Sequence, residues 1–128
     1  MATETETARK VVNDFVQLVF IEGRVEDAAG RLLSDSYIQH NPEVATGKQA
    51  FIAAIGGMLS AFPDFSYDIK RVIAEGDLVV LHAHVRMTKD DRGTATIDIF
   101  RVADGKVAEH WDVLQPVPEK AANENTMF

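Results

Sequence analysis

The sequence predicts an α+β fold: a cone-shaped, curved antiparallel sheet packed on three N-terminal helices. Three observations lead there. Apolar residues recur at helical spacing up to about Phe62 and alternate at strand spacing from Phe65 to Leu114. The segments of the second half are separated by short, turn-prone stretches. A chain of 128 residues suits one domain with one core. Helices first and hairpin-linked strands second is the order of a sheet covered by helices on one face. Such a sheet, curled over three helices, leaves a hollow that is a natural pocket.

Taken in order, Ala8, Val11, Val12, Phe15, Leu18 and Val19 form a helical stripe from Thr7 to Ile21, with Thr7 as its expected cap and Gly23 as its stop. A second helix, roughly Val25–Leu33, ends at Ser34-Asp35-Ser36. Tyr37–His40 is a short extended run closed by Asn41-Pro42, because the residue before proline is pushed out of the helical region. Gly47–Phe62 is the third helix, with Phe51, Ile55, Met58, Leu59 and Phe62 near one face and Pro63-Asp64 ending it. Four strands follow: Phe65–Ala74, Leu78–Thr88, Thr94–Val102 and Val107–Leu114. Their separators are Glu75-Gly76-Asp77, the stretch Lys89–Gly93 and a turn containing Asp104-Gly105. One domain spans 1–128, with 1–6 and about 117–128 expected as flexible tails.

Composition narrows the function. Being 46% hydrophobic and 26% charged, the chain is globular rather than disordered. A net charge of −7 argues against a phosphate-tracking surface, so no nucleic-acid partner is expected. No apolar run approaches the ~20 residues that cross a bilayer, and MATETETARK lacks a signal-peptide pattern. Without cysteine there is no disulfide, thiolate nucleophile or Cys-ligated metal. The expectation is a soluble, cytoplasmic protein.

Asp98 stands out, set between Ile97 and Ile99 on a half-buried strand. A carboxylate buried without a partner costs several kcal/mol, so such a group is paired, protonated or functional. Alternation puts it on one face with Thr94, Thr96, Phe100 and Val102. If that face lines the hollow, Asp98 is a candidate acid/base; the plainer reading pairs it structurally with Arg86 or a histidine. His82 and His84 share a face of the preceding strand and His110 lies near the end of the sheet. His82 is the expected catalytic partner, since a His–Asp pair supplies an acid and a base near neutral pH. The His-x-His spacing also raises zinc, but no HExxH or cysteine supports it, and no metal is expected.

Tyr37-Ile38-Gln39-His40-Asn41-Pro42, FPDF at 62–65 and DIFRVADGKVAEHWDVLQPVP at 98–118 resemble the SnoaL-like, polyketide cyclase-like proteins of the nuclear transport factor 2-like superfamily. The resemblance covers nearly the whole chain. It implies the α+β cone, a homodimer formed through the sheet, and work without metal or organic cofactor. It does not imply one reaction, because the superfold hosts isomerases, hydrolases, dehydratases, cyclases and binding-only members. Asp98 falls where ketosteroid isomerases have the acidic residue of their oxyanion hole. Asn41 falls where they have the proton-abstracting Asp, and Phe15 where they have the oxyanion-donating Tyr. A carboxamide cannot abstract a proton and a phenyl ring cannot donate one, so ketosteroid isomerisation by that mechanism is not expected. Epoxide hydrolases of the superfamily need an Arg-x-Asp that HAHVR lacks.

The expected function is therefore cofactor-independent acid/base chemistry, an aldol-type cyclisation, isomerisation or related proton transfer beside a carbonyl, on a small apolar carbonyl compound. Asp98 and His82 are its expected catalytic residues. Tyr37, His40, Asn41, His84, His110 and Trp111 are expected around the substrate, with Phe15, Phe51, Phe62 and Phe100 shaping an apolar wall. The alternative is a non-catalytic ligand-binding or dimerisation module of the same fold.

Overall fold

A computed structural model describes residues 1–128. The helices are α1 (Glu4–Val16), continued by a π-helical turn (Gln17–Ile21), α2 (Val25–Leu32) and α3 (Lys48–Ala61). The strands are β1 (Leu33–Gln39), β2 (Ser66–Glu75), β3 (Leu78–Arg86), β4 (Thr94–Ala103) and β5 (Lys106–Pro116), in the order β1-β5-β4-β3-β2.

Two local expectations are corrected. The cap of α1 is Thr3, not Thr7: its hydroxyl accepts the Glu6 N–H and the Glu6 carboxylate takes the Thr3 N–H, a capping box. Residues 4–6 are thus helix rather than tail. The sheet is also mixed, because β1 runs parallel to β5. With three strands and α3 between them in sequence, no hairpin dictates their relative direction. Residues 117–128 carry no regular structure, yet the chain end returns to the sheet, where the Phe128 ring stacks on His84 at 4.2 Å.

The helices cover one face of the sheet. Val12, Phe15, Val16 and Val19 pack on Val79, Leu81, Ala83 and Phe100 in one core. Residues five apart on an α-helix point about 140° apart. The wider π turn, closed by Glu22 N–H to Gln17 C=O at 2.9 Å, swings Phe20 towards the side that Phe15 occupies. Both rings line a hollow of about 270 Å³ between the helices and the inner face of the sheet.

Candidate active site

Two strand-pairing details decide what the hollow contains. In the β3–β4 pair Leu81 is opposite Asp98 and His82 opposite Ile97, so the inner face takes odd residues of β3 and even residues of β4. The β4–β5 hairpin turns through Asp104 and Gly105, both at positive φ (52° and 74°), the geometry of a two-residue type I′ turn. Continued without interruption, that register would set Asp98 opposite Trp111. A bulge between the Arg101 and Val102 pairs shifts it by one residue. Phe100 then faces His110 and Asp98 faces Asp112, so His110 and Asp112 join Asp98 on the inner face.

Donor and acceptor roles fix most of the protons. Gln39 Oε1 accepts the Asn41 backbone N–H at 3.0 Å, so the atom 2.7 Å from His110 Nδ1 is an oxygen and Nδ1 carries a proton. Gln39 Nε2 donates to the Tyr37 hydroxyl at 2.9 Å, leaving the proton of Tyr37 free for another acceptor. Tyr67 donates to Asp98 Oδ2 at 2.7 Å. Between Asp98 Oδ1 and His110 Nε2, 2.8 Å apart, there is room for a single proton. It sits on Asp98, with a neutral imidazole accepting, or on His110, as an imidazolium facing a carboxylate. The pair shares one proton and has no net charge in either arrangement.

The surroundings are apolar and tightly satisfied. The side chains of Asp98 and His110 are 12% and 10% exposed, and no buried side-chain nitrogen or oxygen lacks a hydrogen-bond partner. The His110 ring lies on Phe100 at 4.8 Å, and Tyr67 stacks on Phe20 at 4.9 Å. Burial, reinforced by the negative charge of Asp98, pushes the Tyr67 hydroxyl above the usual tyrosine range. Burial does the same for Tyr37, helped by Asp112 and Asp98. Both phenols therefore stay protonated, Tyr67 donating to Asp98 and Tyr37 keeping its proton for another acceptor.

Of the expected site residues, Tyr37, Asn41, Phe15, Phe51, Phe100, His110 and Asp98 line the hollow. The others do not. His82 points to the outer face, against Arg71 and beside Phe128, so it is not the partner of Asp98; His110 has that position. His84 is on the outer face too, with its Nε2 2.8 Å from the Arg92 carbonyl. His40 turns outward to stack on Trp111 at 4.8 Å and to meet Glu109 at 2.7 Å. Trp111 is outward because of the bulge. Glu109 is held below the usual carboxylate range by its hydrogen bonds to His40 and then Arg101, a surface ion pair remote from the hollow. Phe62 caps the end of α3 and is 38% exposed, while Phe65, past the turn, provides the ring that faces Phe20.

Three residues of the network had no such role in the sequence reading: Gln39, Tyr67 and Asp112. Gln39 had a signal, since it alternates onto the Tyr37 and Asn41 face. Asp112 belongs to the EHWD segment and shares the parity of His110. Tyr67 gave no signal in SYDIK beyond being one of the chain's two tyrosines.

A cation is geometrically conceivable at Asp98, His110 and Asp112, whose ligand atoms all lie within 4.8 Å of one another. Each of these groups is already engaged, Asp98 by Tyr67 and His110, Asp112 by Asn41. An ion there would have to displace the Asp98–His110 hydrogen bond.

The helix-first order and the mixed five-stranded sheet are those of the nuclear transport factor 2-like fold. A protein of that type from Cytophaga hutchinsonii superposes with a TM-score of 0.70 at 20% identity, over 91% of this chain and 96% of that one. The chain belongs to the SnoaL-like domain family, which matches residues 12–110. A provisionally assigned polyketide cyclase from Acidithiobacillus ferrooxidans is similar at 18% identity (TM-score 0.71, 88% of this chain and 91% of that one). So is a provisionally assigned ketosteroid isomerase from Kribbella flavida, also 18% identical (TM-score 0.75, 94% and 87%). No curated protein matches the sequence. No helix is long and apolar enough to cross a membrane.

Proposed function

We propose that this chain is an acid/base enzyme that moves a proton at carbon beside a carbonyl in a small apolar compound, as in an aldol-type cyclisation or an isomerisation. The observation that carries this reading is the Asp98–His110 pair, holding one shared proton against the apolar hollow. With the shared proton on His110, the Asp98 carboxylate is a base that takes the proton from the substrate's C–H, and the carboxyl so formed returns that proton as the acid of the next step. Tyr37, whose oxygen accepts Gln39 and whose proton is free, donates to the carbonyl oxygen as negative charge builds there. Tyr67 holds the other oxygen of Asp98, so the carboxyl stays aimed. Apolar burial, at ~25 cal/mol per Å², supplies affinity while the polar groups set orientation. We also propose that two copies pair through the outer face of the sheet.

The experiment does not require the natural substrate. Exchange of the α-hydrogens of small aryl ketones in heavy water, followed by NMR, reads proton abstraction directly. Asp98→Asn and His110→Gln are each expected to slow enzyme-dependent exchange by about 10²–10⁴. Exchange that survives in both variants would remove this pair from the mechanism. A second reading, a binding module without turnover, is favoured by Asn41 and Phe15, which cannot perform the isomerase roles of the positions they occupy. It predicts ligand binding with no exchange in the unaltered protein.

A further inference from the structure

The charge balance of the hollow is lopsided. Its lining includes Asp98, Asp112 and, at the rim, Glu43; the only basic side chain is His110, and no lysine or arginine contributes. Asp98 and His110 together carry no net charge wherever their proton sits, which leaves Asp112. Its side chain is 11% exposed. Both of its oxygens accept from one nitrogen, Asn41 Nδ2, at 3.0 and 2.9 Å. The orientation of that amide is fixed because Asn41 Oδ1 accepts the Glu43 N–H at 2.8 Å. His110 Nε2 is 3.9 Å away and engaged with Asp98. A neutral amide offsets only part of the cost of burying a carboxylate.

The remaining walls suit a cation as well. Phe15, Phe20, Phe51 and Tyr67 present aromatic surface, and ring faces attract ammonium groups within about 6 Å. An anionic ligand would meet the carboxylates of Asp112 and Glu43, and the one basic side chain, His110, is already engaged by Asp98. We propose that the hollow selects small apolar molecules bearing a protonated amine, with the ammonium on Asp112 and the hydrophobic body on the aromatic wall. This rests on reading the hollow as the reaction site and narrows the substrate class to amine-containing carbonyl compounds. Asp112 is then the specificity-determining residue.

Phenylbutylamine, phenylbutanol and phenylbutyrate share one skeleton and differ in charge. Titration calorimetry on the full chain should rank them in that order, the amine binding about tenfold or more tighter than the alcohol. Asp112→Asn should erase the difference between amine and alcohol while the alcohol still binds. If that variant does not fold by circular dichroism, Asn41→Ala decides instead: it leaves Asp112 without its amide and must keep or enlarge the amine preference. Phenylbutyrate binding as tightly as the amine, or an amine preference undiminished in Asp112→Asn, would overturn the inference while sparing the hollow as a ligand site. Zinc alone binding through Asp112, with no amine preference, would overturn it in favour of a metal site. Failure of all three probes to bind would overturn both this inference and the reaction site itself.

Discussion

At the scale of single residues, Tyr67 is the clearest test of the network. Its hydroxyl donates to Asp98 in an apolar setting, so Tyr67→Phe is expected to cost about 1–3 kcal/mol in denaturant unfolding. The same burial has a signature at high pH. The fold favours the protonated phenol and raises its pKa above the unfolded value of ~10. This contribution to stability is therefore complete below about pH 10 and is lost as pH rises further, towards the folded-state value. Tyr37 follows the same sign. Because these are the only two tyrosines, phenolate absorbance should rise together with loss of secondary structure during alkaline unfolding. Tyr67→Phe should make stability less sensitive to pH in that range. Phenolate appearing in a still-folded protein would contradict the burial of both hydroxyls.

At the scale of elements, the turns and bulges govern which side chains meet. The β4–β5 bulge brings His110 to Asp98 and sends Trp111 outward; the β3–β4 connection leaves His82 and His84 on the far face. That connection depends on Gly93, at φ +81°, where an added Cβ would collide with the Val85 carbonyl and lie 2.7 Å from His84 Nε2. Gly93→Ala is expected to destabilise the protein by about 1–3 kcal/mol from the backbone conformation, with the collision adding to it. A lowered midpoint of chemical denaturation checks this, and an unchanged midpoint would mean that the connection rearranges at little cost. Asp91 braces the same loop by accepting the Met87 and Gly93 N–H groups, which hold its carboxyl below the usual range.

At the scale of the molecule, the two faces of the sheet have different tasks. The inner face closes the core and the hollow. The outer face carries Trp111 with Ile73 and Val113, which are 61% and 67% exposed. Exposed apolar surface of this kind on a sheet fits contact with another copy. Sedimentation at micromolar concentration is expected to give the mass of a dimer, and Val113→Glu to shift it to a monomer with the hollow intact. A monomer in the unaltered protein would refute pairing through this face.

The amino-acid sequence by itself determined the order of helices and strands, the face that Asp98 shares with Thr96 and Phe100, and the shared face of Tyr37, Gln39 and Asn41. These follow from periodicity along one segment, which a chain encodes locally. Only the tertiary structure decided which histidine meets Asp98, that Tyr67 does so too, and that β1 runs parallel to β5. Facing residues depend on register between strands, and one extra residue in a bulge reverses every side chain beyond it. Periodicity within a strand holds no record of that shift, so His82 is the partner the sequence suggests and His110 is the one that pairing of the strands brings to Asp98.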